Sequence, residues 1–78
     1  MKKFTPVLIT WKDSNGSAEW LEQRDITHEP NTVIEVGLFF KKDRTGITTV
    51  KAHDKTSGCV HGVSFIPAAN VISIAPLA

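Results

Sequence analysis

The chain has a single cysteine, a single methionine and no tyrosine in 78 residues, and it has no long apolar run. Each shortage excludes something. One thiol, Cys59, cannot form an internal disulfide, and without a CxxC or Cys/His run no structural zinc motif substitutes for a packed core. The longest apolar stretches, Val36 to Phe40 and Val71 to Ile74, are far short of the ~20 residues of a membrane helix. Met1-Lys2-Lys3-Phe4-Thr5-Pro6 has basic residues but no apolar stretch of signal-peptide length, so a cytoplasmic location is expected. An excess of one charge sign is also missing: nine Lys and Arg against eight Asp and Glu leave +1. No whole-molecule field therefore draws the chain to nucleic acid or to an anionic bilayer.

What remains is the composition of a folded protein, with 41% hydrophobic and 22% charged residues. A chain of this length builds one core and buries roughly 60–65% of its unfolded surface, so residues 1–78 read as a single domain.

Alternation carries the secondary-structure signal. Val7, Ile9 and Trp11 alternate with Leu8 and Thr10 and end in the turn-forming Asp13-Ser14-Asn15-Gly16, which predicts a first strand. From Ser17 to Pro30 the pattern weakens to a long loop or short helix, with Ser17 a candidate cap and Trp20 and Leu21 expected to fold over an open end of the core. Thr32 to Lys42 is the clearest strand. Ile34, Val36, Leu38 and Phe40 form its more apolar face, predicted as core, while Val33, Glu35, Gly37, Phe39 and Lys41 point the other way. Gly37 inside that run predicts a bend or a close backbone approach. Lys42 to Gly46 reads as a hairpin connection into a strand from Ile47 to His53. A second tight connection, Lys55 to Gly58, leads to a strand from Cys59 to Ile66 ended by Pro67. Ala68-Ala69-Asn70 leaves room for one helical turn before a last strand from Val71 to Ile74, closed by Pro76. Mainly β, five strands joined by short turns and strongly bent: this predicts a small barrel in preference to a sandwich, which needs more strands.

The ending Phe65-Ile66-Pro67-Ala68-Ala69-Asn70-Val71-Ile72-Ser73-Ile74 resembles the closing segment of SH3-like and Sm-like barrels. Ile9-Thr10-Trp11-Lys12-Asp13, Trp20, Val36-Gly37-Leu38 and Gly62-Val63-Ser64-Phe65-Ile66-Pro67 together resemble short proteins encoded by phages and prophages. The resemblance implies barrel topology, a tendency to oligomerise through sheet edges and, for a phage protein, the cytoplasm of a bacterial host. It brings no reaction. The Lys-His pair with which the Sm-like bacterial RNA chaperone binds uridine-rich RNA is also missing, since Pro67-Ala68 occupies that neighbourhood.

Two groups of residues suggest chemistry. His53, Asp54, Cys59 and His61 flank a tight hairpin, and its register decides whether they meet. A four-residue loop, Lys55 to Gly58, sets Asp54 opposite Cys59 and turns His53 away. A three-residue loop, Thr56 to Gly58, instead sets His53 opposite His61 with Cys59 on the same face, a partial first shell for a transition metal. A nucleophilic role for Cys59 lacks an orienting group and oxyanion donors, and its default is a small buried hydrophobe. The second group is Trp20, Phe39, Lys41, Lys42 and Arg44, a candidate interaction surface in which an outward Phe39 stacks a nucleobase beside phosphate-binding lysines, or else packs under the long loop or in a subunit interface.

The leading expectation is a non-enzymatic, self-associating interaction module with no cofactor and no bound metal, its partner a second copy or another protein. A nucleic-acid-binding small barrel is the alternative, and a Cys/His metal-dependent protein a minority one.

Overall fold

Val7 and Ile9 are completely buried, and their alternation within β1 (Pro6–Asp13) orients everything built on it. The computed structural model describes residues 1–13, 20–25 and 31–77. The predicted turn at Ser14 to Gly16 and the Ser17 cap lie outside these residues, as does Thr27 to Pro30.

Seven strands form. They are β1, β2 (Asn31–Asp43), β3 (Gly46–Val50), β4 (Ala52–His53), β5 (Val60–His61), β6 (Ser64–Pro67) and β7 (Val71–Pro76), with 3-10 turns at Gln23–Asp25 and Ala68–Asn70. Five of them make one antiparallel sheet in the order β6-β3-β2-β1-β7, and β4 pairs with β5 separately. The predicted mainly-β architecture with five principal strands is present. Among the described residues no pairing between β6 and β7 closes the sheet, and no helix is long and apolar enough to cross a membrane.

Two predicted strands are each broken once. The Ile47–His53 run bends at Lys51, whose N–H turns to the carbonyls of His61 (2.9 Å) and Gly62 (3.1 Å). The Cys59–Ile66 run breaks at Gly62, which sits at φ +72°. A Cβ there would lie 2.7 Å from Cβ of Lys51, so the crossing needs glycine on both steric and conformational grounds.

The core face of β2 is the reverse of the sequence expectation. Val7, Ile9 and Trp11 stand opposite Gly37, Glu35 and Val33, and cross-strand partners share a face. Phe39 therefore points inward and is only 8% exposed, whereas Ile34 and Val36 are 68% and 62% exposed. The face with more apolar residues lost to the face that matches β1. Gly37 makes the choice feasible: a Cβ there would approach Cβ and Oγ1 of Thr49 to 3.2 Å, so this glycine answers a close approach from β3. A β-bulge follows. Leu38 pairs with Val50 and Phe39 with Thr49, but Lys41 pairs with Thr48, so Phe40 is the extra residue.

The core comprises Val7, Ile9, Phe39, Ile47 and Ile66, with Trp11, Val71 and Ile74 packed against it. Asn70 fastens the turn before β7 by donating from Nδ2 to the Lys12 carbonyl at 2.7 Å. Trp20 and Leu21 do not cover an open end, because both are exposed. The resulting body is long, 52 × 23 × 23 Å, with a radius of gyration of 15.6 Å.

Both hairpin turns are held by an aspartate. Asp43 accepts from the hydroxyl and the N–H of Thr45, and these bonds, with help from Lys41, hold its carboxyl below the usual range. Asp54 accepts from the N–H of Thr56 at 2.9 Å and from Ser57, and it too is lowered. A depressed carboxyl adds stability that is present above its unfolded pKa and disappears as pH falls through the folded one. NMR titration of the two carboxylates is expected to give midpoints below that of an unstructured aspartate. Asp43→Asn should remove that turn's share of the acid-induced loss; midpoints at or above the unstructured value would refute the assignment.

Candidate functional site

The most distinctive site is a gap in the sheet. β2 is thirteen residues long, and β1 pairs with it from Asn31 to Leu38 while β3 pairs with it only from Leu38 to Asp43. The cause is the bend at Lys51, which diverts the chain toward β5 where continued pairing would have carried it along β2.

Backbone polarity along this stretch follows from one bond. The Phe39 N–H donates to the Thr5 carbonyl at 2.8 Å, so Phe39 directs its backbone groups toward β1. By strand alternation Gly37, Glu35 and Val33 do the same, and Leu38, Val36, Ile34 and Thr32 direct theirs to the opposite side. Leu38 has Val50 there. Among the described residues nothing pairs with Thr32, Ile34 and Val36 on that side.

A groove of about 390 Å³ runs beside this open edge, between Ile34 to Gly37 on one wall and Thr49 to Lys51 with Gly62 and Ser64 on the other. Its titratable members are Glu35 and Lys51. The Thr49 hydroxyl donates to the Glu35 carboxylate at 3.4 Å, a long contact at the edge of hydrogen-bond range. Chemically, the groove offers unpaired strand N–H and C=O groups beside apolar side chains. That is a receptor for extended backbone.

The candidate residues named from sequence are distributed as follows. Phe39 is in the core, so it is not an outward stacking surface. Trp20, Lys41, Lys42 and Arg44 are exposed, and Lys41 lies 3.5 Å from Asp43 in a solvated ion pair that contributes little. The aromatic next to Lys41 in sequence is the half-buried Phe40, the extra residue of the bulge. Lys3 Nζ sits 4.6 Å above its ring, and Phe4 lies against it at 6.2 Å between centroids. Phe4, at φ 68°, also stacks on His53 with centroids 3.7 Å apart.

At the second hairpin the four-residue loop is the one formed. Ala52 pairs with His61 and His53 with Val60, while Asp54 and Cys59 are joined by an N–H···O bond of 2.9 Å. His53 therefore faces away from Cys59 and His61, and among the described residues no three His, Cys, Asp or Glu side chains converge. Cys59 is exposed, contrary to its expected burial, beside a β4–β5 pair that forms a two-stranded sheet of its own, apart from the five-stranded one.

No protein-family model, curated protein or solved structure matches the chain.

Proposed function

We propose that this protein is a non-enzymatic interaction module that works by self-association, a phage- or prophage-type small barrel acting in the cytoplasm of a bacterial host. The observation that carries the reading is a set of exposed large apolar side chains, and a standard protein–protein interface covers ~800 Å² on each partner.

Trp20, Ile34, Val36, Val63, Phe65 and Ile72 are large hydrophobic side chains in the exposed class, the kind of surface that marks association sites where it is contiguous. A near-neutral charge of +1 opposes association of like copies only weakly. The SH3-like or Sm-like assignment draws support from strand order: β1, β2, β3 and β6 run as a meander, and β7 returns beside β1 after a single 3-10 turn.

Sedimentation velocity across a wide concentration range tests the reading. The expected result is a dimer or larger assembly whose population rises with concentration. A monomer at the highest attainable concentration overturns it.

A further inference from the structure

We propose that two copies join through the open half of β2, with Thr32 to Val36 of each chain pairing antiparallel about a twofold axis at Ile34. The inference rests on the self-association proposed above and specifies which surface performs it.

Three observations converge on this edge. The Ile34 and Val36 backbone groups aim at a side where, among the described residues, no strand pairs with them. Their side chains are among the most exposed apolar groups of the molecule. They are also β-branched, the type that packs best across strands. A strand edge of this kind is ordinarily blocked by lysine, proline, an inward-pointing charge or a covering loop. Between Thr32 and Val36 there is neither lysine nor proline, and the one charge is Glu35, opposite Ile9.

Self-complementarity selects a second copy as occupant, and charge selects the register. A twofold axis at Glu35 would set two carboxylates directly opposite each other, which is unfavourable. An axis at Val36 would require Leu38, whose hydrogen-bonding side is already taken by Val50. With the axis at Ile34, Thr32 meets Val36, Val33 meets Glu35 and Ile34 meets its own counterpart. No like charges are then opposed. Ile34 and Val36 of both chains form one apolar patch on the exposed face, and the sheets merge through β2. The interface is isologous and closes at two copies.

The test uses the intact chain. Ile34→Lys and Ile34→Glu alter an exposed side chain, so each variant should keep the wild-type circular dichroism. Each alone should associate more weakly than wild type by on the order of tenfold or more, because like charges face each other on the axis. An equimolar mixture should recover association. In the wild type, the Ile34 and Val36 amides should gain hydrogen-exchange protection as concentration rises, a readout that needs no variant. A wild-type chain that associates while both variants associate equally well, or while these amides stay unprotected, overturns the β2 pairing and leaves self-association standing on another surface. Under that outcome, protection of the same amides by an extended segment of a different protein would identify the edge as a heterologous receptor. A wild-type chain that never associates overturns both proposals.

Discussion

Phe39→Ala is expected to destabilise the fold by about 3–5 kcal/mol, the usual range for removing a buried aromatic side chain. A chain of 78 residues has roughly 4–12 kcal/mol of stability in total, so the variant should be largely unfolded near physiological temperature. The magnitude follows from how little the core contains. Val7, Ile9, Ile47 and Ile66 are the other members of the cluster, and none is large enough to refill the space of a phenyl ring. Val36→Ala, measured at a concentration where the chain is monomeric, should change stability by only about 0.5 kcal/mol or less, as exposed positions do. Urea unfolding of the two variants separates the faces of β2. A larger loss at Val36 than at Phe39 would mean that β2 is inverted relative to the register described.

Gly46→Ala is expected to cost about 3 kcal/mol or more, at the upper end of what overpacking does. The added Cβ would stand 2.3 Å from the Ile66 carbonyl oxygen and 2.7 Å from the Phe65 ring. Relief cannot come from a flexible side-chain tip, because the nearer atom is backbone. β6 would have to move away from β3, breaking the Gly46–Pro67 and Ile47–Ile66 pairs that attach it to the sheet. Gly58→Ala is the comparison: Gly58 has φ +82° but a Cβ there meets nothing within 4 Å, so only the left-handed backbone penalty of about 1–2 kcal/mol applies. Thermal unfolding of both should therefore rank Gly46→Ala well below Gly58→Ala. Equal losses would indicate that β6 sits farther from β3 than described.

These two positions also mark the limits of sequence reasoning. Gly46 follows a turn, and turn chemistry alone accounts for a glycine there. That β6 passes close above it is a non-local fact. Phe39 was harder still, since the count of apolar residues favoured Ile34, Val36, Leu38 and Phe40 as the buried set. Alternation identifies two faces but carries no label saying which is inside, and a thirteen-residue strand with a bulge changes face partway along. The hairpin at Lys55 to Gly58 had two readable registers, and the hydrogen bond from the Asp54 N–H to the Cys59 carbonyl chose between them.

The open edge of β2 could not have been read from the chain at all. Its existence depends on β3 ending early, and β3 ends because Lys51 finds acceptors at His61 and Gly62, ten and eleven residues away. By contrast, the turn at Ala68–Asn70 and the short strand after it were legible in outline, because Pro67 removes a ladder donor and local chemistry decides the rest.

By itself, then, the sequence determined what depends on near neighbours: the strand-forming segments, the turn residues, the helical turn before the last strand, and the need for one small core without a disulfide. Only the tertiary structure decided which face of β2 is buried, where β3 leaves it, and that Ile34 and Val36 stay outside with unpaired backbone beside them. The physical reason is that period-two alternation and turn propensity are local, while burial and strand pairing are settled between segments distant in the chain, where one bulge or one redirected N–H shifts every contact beyond it.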